Sequence, residues 1–279
     1  TAKQAGVPTW TTFFTSKIAE EIVDALGHAD VVTCTQVLQH IPDLLQFLKD
    51  VEFLLKPDGV FVIEGRYFAD TLRLNSFDTV YHEMLWFFTL HSLMTLLERA
   101  GMEVFDAEKV DIYGGSLRVY AKKKSWGGIP LKTNLMSVRA LLDEEVKLGV
   151  DKDEVYLEFA LKAFKIRNTI HPLLRSLKET AYAIAAYGAP STSATLLNFC
   201  GIGAREIDYV VDDSPLKQGK YTPGSHIPIV PQTTLSTQRP DFLLILAWRL
   251  EGDILPLVAE FRKRGMSLII PLPYIRVII

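Results

Sequence analysis

The chain has 279 residues, of which 48% are hydrophobic and 23% are charged, and its formal net charge is −3. This composition is typical of globular domains, and the small net charge argues against binding to nucleic acid or to an anionic membrane. The length favours two domains over one.

The only two cysteines, Cys34 and Cys200, lie in apolar segments. A disulfide framework and a four-ligand zinc site are therefore not expected, and a reducing cytoplasm is the predicted compartment. No uncharged apolar stretch reaches about 18 residues, and no basic region followed by an apolar one opens the chain, so neither a membrane-spanning helix nor a signal peptide is expected.

The first half of the chain alternates strand-like and helix-like segments. Residues 9–14 suit a short strand, and Ser16 is expected to cap a helix over 17–26. The following predicted segments are a buried strand at 29–35, a helix at 44–55, a turn at 56–59, a buried strand at 60–64, a helix at 90–100 and strands at 102–106 and 116–121. Such alternation predicts a parallel sheet covered on both faces.

Residues 122–128 break this pattern and are interpreted as the edge of the first domain, with the lysine run as a solvated strand end rather than an anion site. Helix formers dominate from 131 to about 179, interrupted near Gly149, and Pro172 is expected to kink the second helix. A second unit follows, with predicted strands at 181–187, 207–211, 241–246 and 266–270 and helices at 191–200 and 253–264. The predicted fold class is α/β, with a first domain over 1–124, a helical linker over 125–180 and a smaller Rossmann-like domain over 181–279.

Polar residues that follow predicted strands are the first candidates for a site, because ligands bind beyond the carboxyl ends of parallel strands. His40 holds such a position, although a histidine there is equally consistent with a helix cap. Tyr81, His82 and Glu83 lie among aromatic residues, where burial shifts pKa values and excludes water, as proton transfer requires. The alternative is a hydrophobic loop that plugs the sheet, with Glu83 simply paired.

Two glycine-containing segments suit contacts with oxygen-rich ligands. Gly114-Gly115-Ser116 lets backbone amides approach such a ligand, and Arg118 is suited to bind phosphate or sugar oxygens, although a plain bend into an edge strand would have the same sequence. The 188–191 segment, Gly-Ala-Pro-Ser, places a helix N-terminus where phosphate oxygens can bind. It lacks the full G-x-G-x-x-G spacing, so a nicotinamide site is not predicted, and a purely structural role for this domain stays open.

These segments occur together, in the same order and spacing, in one known family. The matching stretches are 31–43, 55–64, 77–83, 114–118, 187–190, 195–198, 210–224 and 226–228. The most specific of them is VVDDSPLKQGKYTPG at 210–224, followed by His226-Ile227-Pro228. Over its whole length the chain resembles the nucleotide-sugar C-methyltransferases that build branched deoxysugars.

The resemblance implies a three-part protein with a cysteine-rich zinc module, a class I methyltransferase domain that uses S-adenosylmethionine, and a C-terminal Rossmann-like domain. Thr1 would then follow the second strand of the methyltransferase domain. The zinc cysteines, the donor's glycine loop and the acidic residue for the donor's ribose are expected upstream, so zinc is expected only there and no metal site is predicted here. We therefore expect the chain to be a fragment, which would not fold natively alone.

The implied reaction methylates carbon beside a ketone, which requires removal of an α proton, stabilisation of the enolate and alignment with the methyl donor. The resemblance assigns Tyr81, Glu83 and His40 to this chemistry, with His82 as a further candidate. The implied substrate-binding residues are Gly114, Gly115, Ser116, Arg118, Gly188, Ala189, Ser191, Lys217, Tyr221 and His226. The implied donor-binding residues are Phe13, Phe14, Thr35 and Gln36.

The chain departs from the family pattern at Met84, where the family has the histidine that is its favoured base. A thioether does not accept a proton at neutral pH. Either His82 or His40 acts instead, or the chain catalyses something different or nothing. In an extended segment His82 and Met84 would share a face, whereas a turn would separate them. Tyr113 and Thr192 also replace a family histidine and lysine, and the lost lysine removes a charge that could meet a diphosphate.

The sequence thus predicts an S-adenosylmethionine-dependent C-methyltransferase that acts through an enolate on a thymidine-diphosphate-type keto-deoxysugar. The predicted partner is a nucleotide-diphosphate sugar, without nucleic acid or membrane, and the oligomeric state is not predicted. Two alternatives stay open: a non-catalytic nucleotide-sugar-binding protein, and a methyltransferase for a different acceptor.

Overall fold

The computed structural model describes residues 2–112, 115–126 and 134–279. Contacts divide the chain into a first unit, Thr1–Tyr67 with Leu85–Lys147, and a second unit, Phe68–Met84 with Leu148–Ile279. The domain boundaries at 124 and 180 stay a prediction, because a grouping by contacts does not show which segments fold independently.

Ten helices and ten strands alternate through the described residues. The helices are α1 Ser16–Leu26, α2 Leu44–Leu54, α3 Phe68–Arg73, α4 Leu90–Arg99, α5 Leu135–Leu148, α6 Asp153–Glu179, α7 Ser191–Cys200, α8 Thr234–Thr237, α9 Glu251–Leu257 and α10 Ala259–Lys263. The strands are β1 Ala29–Thr35, β2 Leu55–Arg66, β3 Met102–Val110, β4 Ser116–Lys123, β5 Ile184–Tyr187, β6 Tyr209–Val211, β7 Ile229–Val230, β8 Phe242–Ile245, β9 Ser267–Ile270 and β10 Arg276–Ile278. Short 3-10 helices lie at Ala2–Ala5, Leu38–His40, Phe77–Thr79 and Trp248–Leu250. The predicted α/β class is confirmed.

The sheet of the first unit is mixed, with strand order β1-β2-β4-β3. Only β1 and β2 are parallel, whereas β4 runs antiparallel to both β2 and β3. The predicted all-parallel sheet is therefore wrong here. Residues 111–115 alone connect β3 to β4, which suffices for an antiparallel pair but is far shorter than the dozen or so residues of a parallel crossover.

The amino-terminal edge of this sheet differs from the prediction. β1 was expected to be buried, but it is an edge strand with Val31 56% exposed and Cys34 as its buried residue. The predicted strand at 9–14 does not form, and Phe13 there is 90% exposed. A strand needs a hydrogen-bonded neighbour, and no strand of the described chain pairs with residues 9–14.

Two local predictions in this unit are also corrected. Helix α1 begins at Ser16, whose hydroxyl does not cap it but donates to Asp50 Oδ1 at 2.8 Å. Residues 56–59 do not form a turn ahead of a strand; they lie inside β2, where Leu55 pairs with Ala29 and Val60 pairs with Val31. The extra residues bulge out of the ladder.

The helix formers predicted to give one or two helices form two, α5 and α6, which are interrupted near Gly149 as expected, and α6 continues through Pro172. α5 is attached to the first unit, because the buried carboxylate of Glu145 accepts hydrogen bonds from the Tyr67 hydroxyl at 2.8 Å and from the His91 amide at 3.1 Å. This carboxylate lies at the N-terminus of α4, where the helix dipole favours a negative charge.

The lysine run after β4 is ion-paired at every member. Lys122, Lys123 and Lys124 bind glutamates at 3.1, 3.3 and 2.9 Å. The run lies at the end of β4 as predicted, and its ion pairs disfavour an anion site. The predicted solvation is wrong for Lys122 and Lys123, whose side chains are only 17% and 13% exposed.

The sheet of the second unit has the order β10-β9-β8-β5-β6-β7, with every neighbouring pair parallel except β10 and β9. The chain moves outward on one side of β5 through β6 and β7, then returns to its other side with β8, so the strand order reverses between β5 and β8. The predicted Rossmann-like unit is confirmed. The helix predicted over 253–264 is divided into α9 and α10, and the short β7 and β10 were not predicted.

Candidate functional site

The first candidate site lies in the second unit, at the carboxyl ends of β5 and β8, where the strand order reverses. Ligands of open α/β sheets bind outside the strands at such a point. The Tyr187 carbonyl accepts hydrogen bonds from the amides of Leu246 and Ala247 at 2.9 and 3.2 Å. Gly188 follows with φ +89°, and a Cβ there would lie 2.5 Å from the Ala247 Cβ. Only glycine therefore fits between these two chain segments.

A buried ion pair holds the aromatic segment to this edge of the sheet. Asp78, in the 3-10 helix Phe77–Thr79, is 0% exposed. Its two carboxylate oxygens accept hydrogen bonds from the Arg249 guanidinium at 2.9 and 3.1 Å, and the Trp248 indole N–H donates at 2.9 Å. Because Trp248 and Arg249 come just after β8, the segment is attached where the strand order reverses. Asp78 was part of a motif matched above, but no role was predicted for it.

The predicted catalytic residues follow on a turn over residues 81–84, here named the Tyr81 turn. The Met84 amide donates to the Tyr81 carbonyl at 3.0 Å. Met84 is 7% exposed, whereas His82 and Glu83 are exposed and Tyr81 is half-buried. The turn thus separates His82 from Met84, so the extended arrangement in which His82 would share the face of Met84 is not present.

The predicted phosphate-binding turn after β5 already holds a carboxylate. The buried Asp212 accepts from the Ala189 amide at 2.7 Å and from Lys217 Nζ at 3.2 Å, while its other oxygen accepts from the Ser214 amide. This arrangement disfavours phosphate, because the amide and the ammonium are used and a negative charge is present. Ser191, the exposed first residue of α7, keeps its predicted position at the helix N-terminus.

The phenol of Tyr187 faces the neighbouring aspartate. Its hydroxyl donates to the Asp213 carboxylate, with oxygen separations of 3.1 and 3.3 Å. Burial, reinforced by this negative charge, raises the pKa of Tyr187 to about 12. The phenol is therefore protonated at neutral pH and acts as a hydrogen-bond donor.

Tyr221 and His226 lie in the loop between β6 and β7. Tyr221 is 63% exposed, and His226 is exposed with φ +51°. The loop is fixed to α7 by the Asn198 side-chain amide, which donates to the Pro223 carbonyl at 2.9 Å. Both predicted residues are thus presented to solvent from an anchored loop.

In the first unit, two predicted site residues meet each other. The Gln36 side-chain amide donates to the Ser116 hydroxyl at 3.0 Å, and Ser116 is 0% exposed. Gln36 has φ +55°, and its backbone amide donates to the Glu64 carbonyl at 2.7 Å. These contacts fix the end of β1 against β2 and β4. Ser116 itself is fully buried.

The guanidinium of Arg118 is bound by carboxylates instead of facing an open site. It donates to Glu64 Oε2 at 2.7 and 3.0 Å and to Glu108 Oε1 at 3.1 Å. The hydrogen bonds to Glu64 are the main cause of the raised pKa of Arg118. The expected use of Arg118 for phosphate or sugar oxygens is not what this geometry favours. Gly115 has φ +111°, and Gly114 lies outside the described residues.

His40 ends a 3-10 helix and is half-buried. The carbonyl of its neighbour Gln39 accepts hydrogen bonds from the amides of Leu85 and Trp86 at 3.0 and 3.3 Å. These two residues come directly after the Tyr81 turn in the chain. The loop that carries His40 is therefore bonded to the segment that continues from the predicted catalytic residues.

The four predicted donor-binding residues differ in their availability. Phe13 is 90% exposed and Thr35 is exposed. The Phe14 ring packs edge-on against Phe47, with 5.5 Å between ring centroids, and Gln36 is engaged as described. Phe13 and Thr35 thus fit a ligand-facing role, whereas Phe14 and Gln36 already make contacts within the chain.

Within residues 2–112, 115–126 and 134–279, histidine, cysteine, aspartate and glutamate side chains do not come together in threes as a metal site would require. Helices in the same ranges are too short or too polar to cross a bilayer. Both cysteines are unpaired and buried.

Comparisons with known proteins agree with the fold and the motifs. Residues 111–273 match the family model of the C-methyltransferase C-terminal domain, and residues 8–107 match that of a methyltransferase domain. The C-methyltransferase NovU of Streptomyces niveus is 37% identical over 277 residues, which are 99% of this chain and 65% of NovU. The chain thus spans about two thirds of the length of this relative.

Similarity to solved structures is weaker. The 1,6-didemethyltoxoflavin-N1-methyltransferase of Burkholderia thailandensis is 24% identical, over 34% of this chain and 43% of that one, with a TM-score of 0.27. An S-adenosylmethionine-dependent methyltransferase of Clostridium acetobutylicum is 12% identical, over 44% and 68% of the two chains, with a TM-score of 0.29. The match of the family model to more than half of the sequence shows that the chain belongs to the C-methyltransferase family.

Proposed function

We propose that this chain supplies the acceptor-handling part of an S-adenosylmethionine-dependent C-methyltransferase whose substrate is a nucleotide-linked keto-deoxysugar. Membership of the family and the similarity to a C-methyltransferase over 99% of the chain support carbon methylation. The sugar substrate rests on the motif resemblance. The structural observation that carries the proposal is the Tyr81 turn, which presents three proton-transferring side chains next to the buried anchor Asp78.

In the proposed reaction a base removes the proton α to the ketone, and the electron pair of that C–H bond forms the enolate. A carbon–carbon bond then forms to the donor's methyl as its bond to sulfur breaks, and S-adenosylhomocysteine leaves. Glu83 and His82 are exposed and able to take the proton, and the Tyr81 phenol is able to donate a hydrogen bond to the enolate oxygen. The thioether of Met84 has no part in proton transfer.

When bound, the methyl donor supplies an electrophilic methyl group, and Phe13 and Thr35 are the exposed residues suited to hold it. An aromatic face such as that of Phe13 can stack on an adenine ring. Gln36 would first have to release Ser116.

The test is entry of solvent deuterium into the α position of a thymidine-diphosphate keto-sugar, measured with the full-length protein in D₂O. Tyr81→Phe and Glu83→Gln are expected to slow exchange and methyl transfer roughly 100-fold, within the usual range for one group in acid–base catalysis. Tyr182→Phe, at a 44% exposed tyrosine far along the chain, is the matched control and leaves the rates unchanged. If the full-length protein shows no deuterium exchange and forms no methylated product, the proposal is refuted.

A second candidate function, nucleotide-sugar binding without catalysis, is favoured by Met84 at the position of the family's base. Met84→His separates the two candidates. If the protein is an enzyme working with a substitute base, this variant is expected to exchange deuterium at least about 10-fold faster. If the wild-type protein and the Met84→His variant both bind the keto-sugar and neither exchanges deuterium, the second candidate is favoured.

A further inference from the structure

A groove of about 560 Å³ lies in the second unit, between the end of α3, one face of α6 and the segment that leads into β10. It contains neither the Tyr81 turn nor the turn after β5. Its lining includes Arg73, Asn75, Lys162, Lys165, Pro273 and Tyr274. Its volume lies in the range of small-molecule sites.

Asn75 gives the groove an unused hydrogen-bond acceptor. The residue is 4% exposed, and its backbone is held in the left-handed region with φ +47°. Its Nδ2 donates to the Pro273 carbonyl at 3.4 Å, which orients the amide, while its buried Oδ1 has no hydrogen-bond partner among the described residues. Buried polar atoms without a partner are rare in native proteins and call for an explanation. The oxygen is closed to solvent, so a ligand N–H would supply the missing donor only after the groove wall beside Asn75 shifts to expose it.

The charges of the groove suit an anion. Lys162 and Lys165 share one face of α6, and Arg73 lies at the end of α3. Lys162 is paired with Glu158 at 2.8 Å and Arg73 with Asp70, whereas Lys165 has no ion-pair partner in the described part of the chain. No carboxylate is among the described residues that line the groove. The two phosphates of a diphosphate would contact the Lys165 ammonium, which has no ion-pair partner in the described residues, and the cations of Lys162 and Arg73.

The remaining wall is aromatic. Tyr274 is 63% exposed, and the Arg276 guanidinium lies 5.8 Å from its ring centroid. An exposed tyrosine beside cationic side chains is the arrangement on which nucleic-acid bases stack.

We propose that this groove binds a nucleoside diphosphate, with the diphosphate on Lys162, Lys165 and Arg73, the base on Tyr274, and a base N–H donated to Asn75. The choice of nucleotide rests on the proposed function, in which the acceptor sugar carries a nucleoside diphosphate. The groove would bind the nucleoside diphosphate of the acceptor, and the proposed chemistry on the sugar would take place separately, at the Tyr81 turn.

The test is calorimetric titration of the full-length protein with thymidine 5′-diphosphate, without methyl donor or sugar. Lys165→Gln and Tyr274→Ala are each expected to weaken binding about 10-fold, and Asn75→Asp, which keeps a residue tolerant of positive φ, is expected to weaken it similarly by adding a negative charge. Arg175→Gln on the same helix, outside the groove and 70% exposed at its side chain, is the control and retains the affinity. Far-UV circular dichroism verifies that each variant is folded.

Equal affinity of Lys165→Gln, Tyr274→Ala and Arg175→Gln would overturn the groove proposal and leave the proposed function intact. Inorganic diphosphate that binds as tightly as thymidine 5′-diphosphate would overturn the part assigned to the base. Binding that depends on Lys165 and Tyr274, in a full-length protein that transfers no methyl group, would uphold the groove and refute the proposed function.

Discussion

Arg249 donates hydrogen bonds to both carboxylate oxygens of Asp78, at 2.9 and 3.1 Å, across 171 residues of sequence. The Asp78 side chain is 1% exposed and that of Arg249 is 15% exposed, and the guanidinium carbon lies 4.2 Å from the Trp248 ring centroid. The pair is therefore shielded from water on most sides. It fixes the start of the segment that carries the Tyr81 turn onto the second sheet.

Removal of one partner of this pair is expected to be costly. Arg249→Met leaves the Asp78 carboxylate buried without its ionic partner, which is expected to lower the free energy of unfolding by about 3–5 kcal/mol in urea titrations. The control is Glu260→Gln, which breaks an exposed pair with Lys263 and is expected to change stability by less than about 1 kcal/mol. Equal effects of the two substitutions would show that the Asp78 pair is not a structural anchor.

A second prediction concerns the contact between β5 and β8. Gly188→Ala places a Cβ 2.5 Å from the Ala247 Cβ in a backbone with φ +89°, so strain and a steric clash add. We expect a loss of about 2 kcal/mol or more in the free energy of unfolding.

The matched control is Gly201→Ala at the end of α7. There φ is +68° and a Cβ would have no heavy atom within 4 Å, so only the backbone strain of about 1 kcal/mol applies. If Gly188→Ala lowers the free energy of unfolding no more than Gly201→Ala does, the chain segments that follow β5 and β8 are not in rigid contact.

The two thiols are expected to be unreactive in the native protein. Burial raises the pKa of Cys34 to about 11 and that of Cys200 to about 12. Because the thiolate is the reactive form, a disulfide reagent at pH 8 is expected to label neither residue until guanidinium unfolds the chain. Rapid labelling of one cysteine without denaturant would show that its surroundings open readily.

The raised pKa of a buried tyrosine predicts that the protein loses stability at alkaline pH. The pKa of Tyr187 is raised from 10.0 to about 12 in the folded state, so between these pH values the unfolded chain releases a proton that the native protein keeps. The free energy of unfolding is therefore expected to fall as the pH rises from about 10 to 12.

Burial raises the pKa of Tyr209 to about 12 as well, so Tyr187→Phe is expected to reduce this loss without abolishing it. Urea midpoints measured at pH 8, 10 and 11 for both proteins check the difference. A loss of stability that is unchanged by Tyr187→Phe would assign the effect to other groups.

Most of the elements could be predicted because their signals are local. The apolar periodicity of α2 and α4 and the apolar runs of β5 and β8 depend only on neighbouring residues, and they were found within a few residues of their ends. The failures were non-local. Residues 9–14 have strand propensity but no partner, and β4 runs antiparallel because of the short connection that precedes it.

For the candidate site as well, the local features could be predicted and the contacts between distant residues could not. Motif spacing picked out Tyr81, His82, Glu83 and the turn after β5, but it gave no sign that Asp212 uses the Ala189 amide or that Glu64 binds Arg118. Those pairings join residues 23 and 54 positions apart, so only the folded chain brings them together.

The sequence by itself determined the α/β class, most of the helices and strands, and the family, because periodicity and motif order are written in adjacent residues. The tertiary structure alone decided which polar side chains are engaged and which face solvent. In the folded chain Asp78 is buried against Arg249, Met84 is buried while His82 is exposed, and the Asn75 Oδ1 has no hydrogen-bond donor among the described residues. Burial and hydrogen bonding depend on contacts between distant segments, which local sequence patterns do not specify.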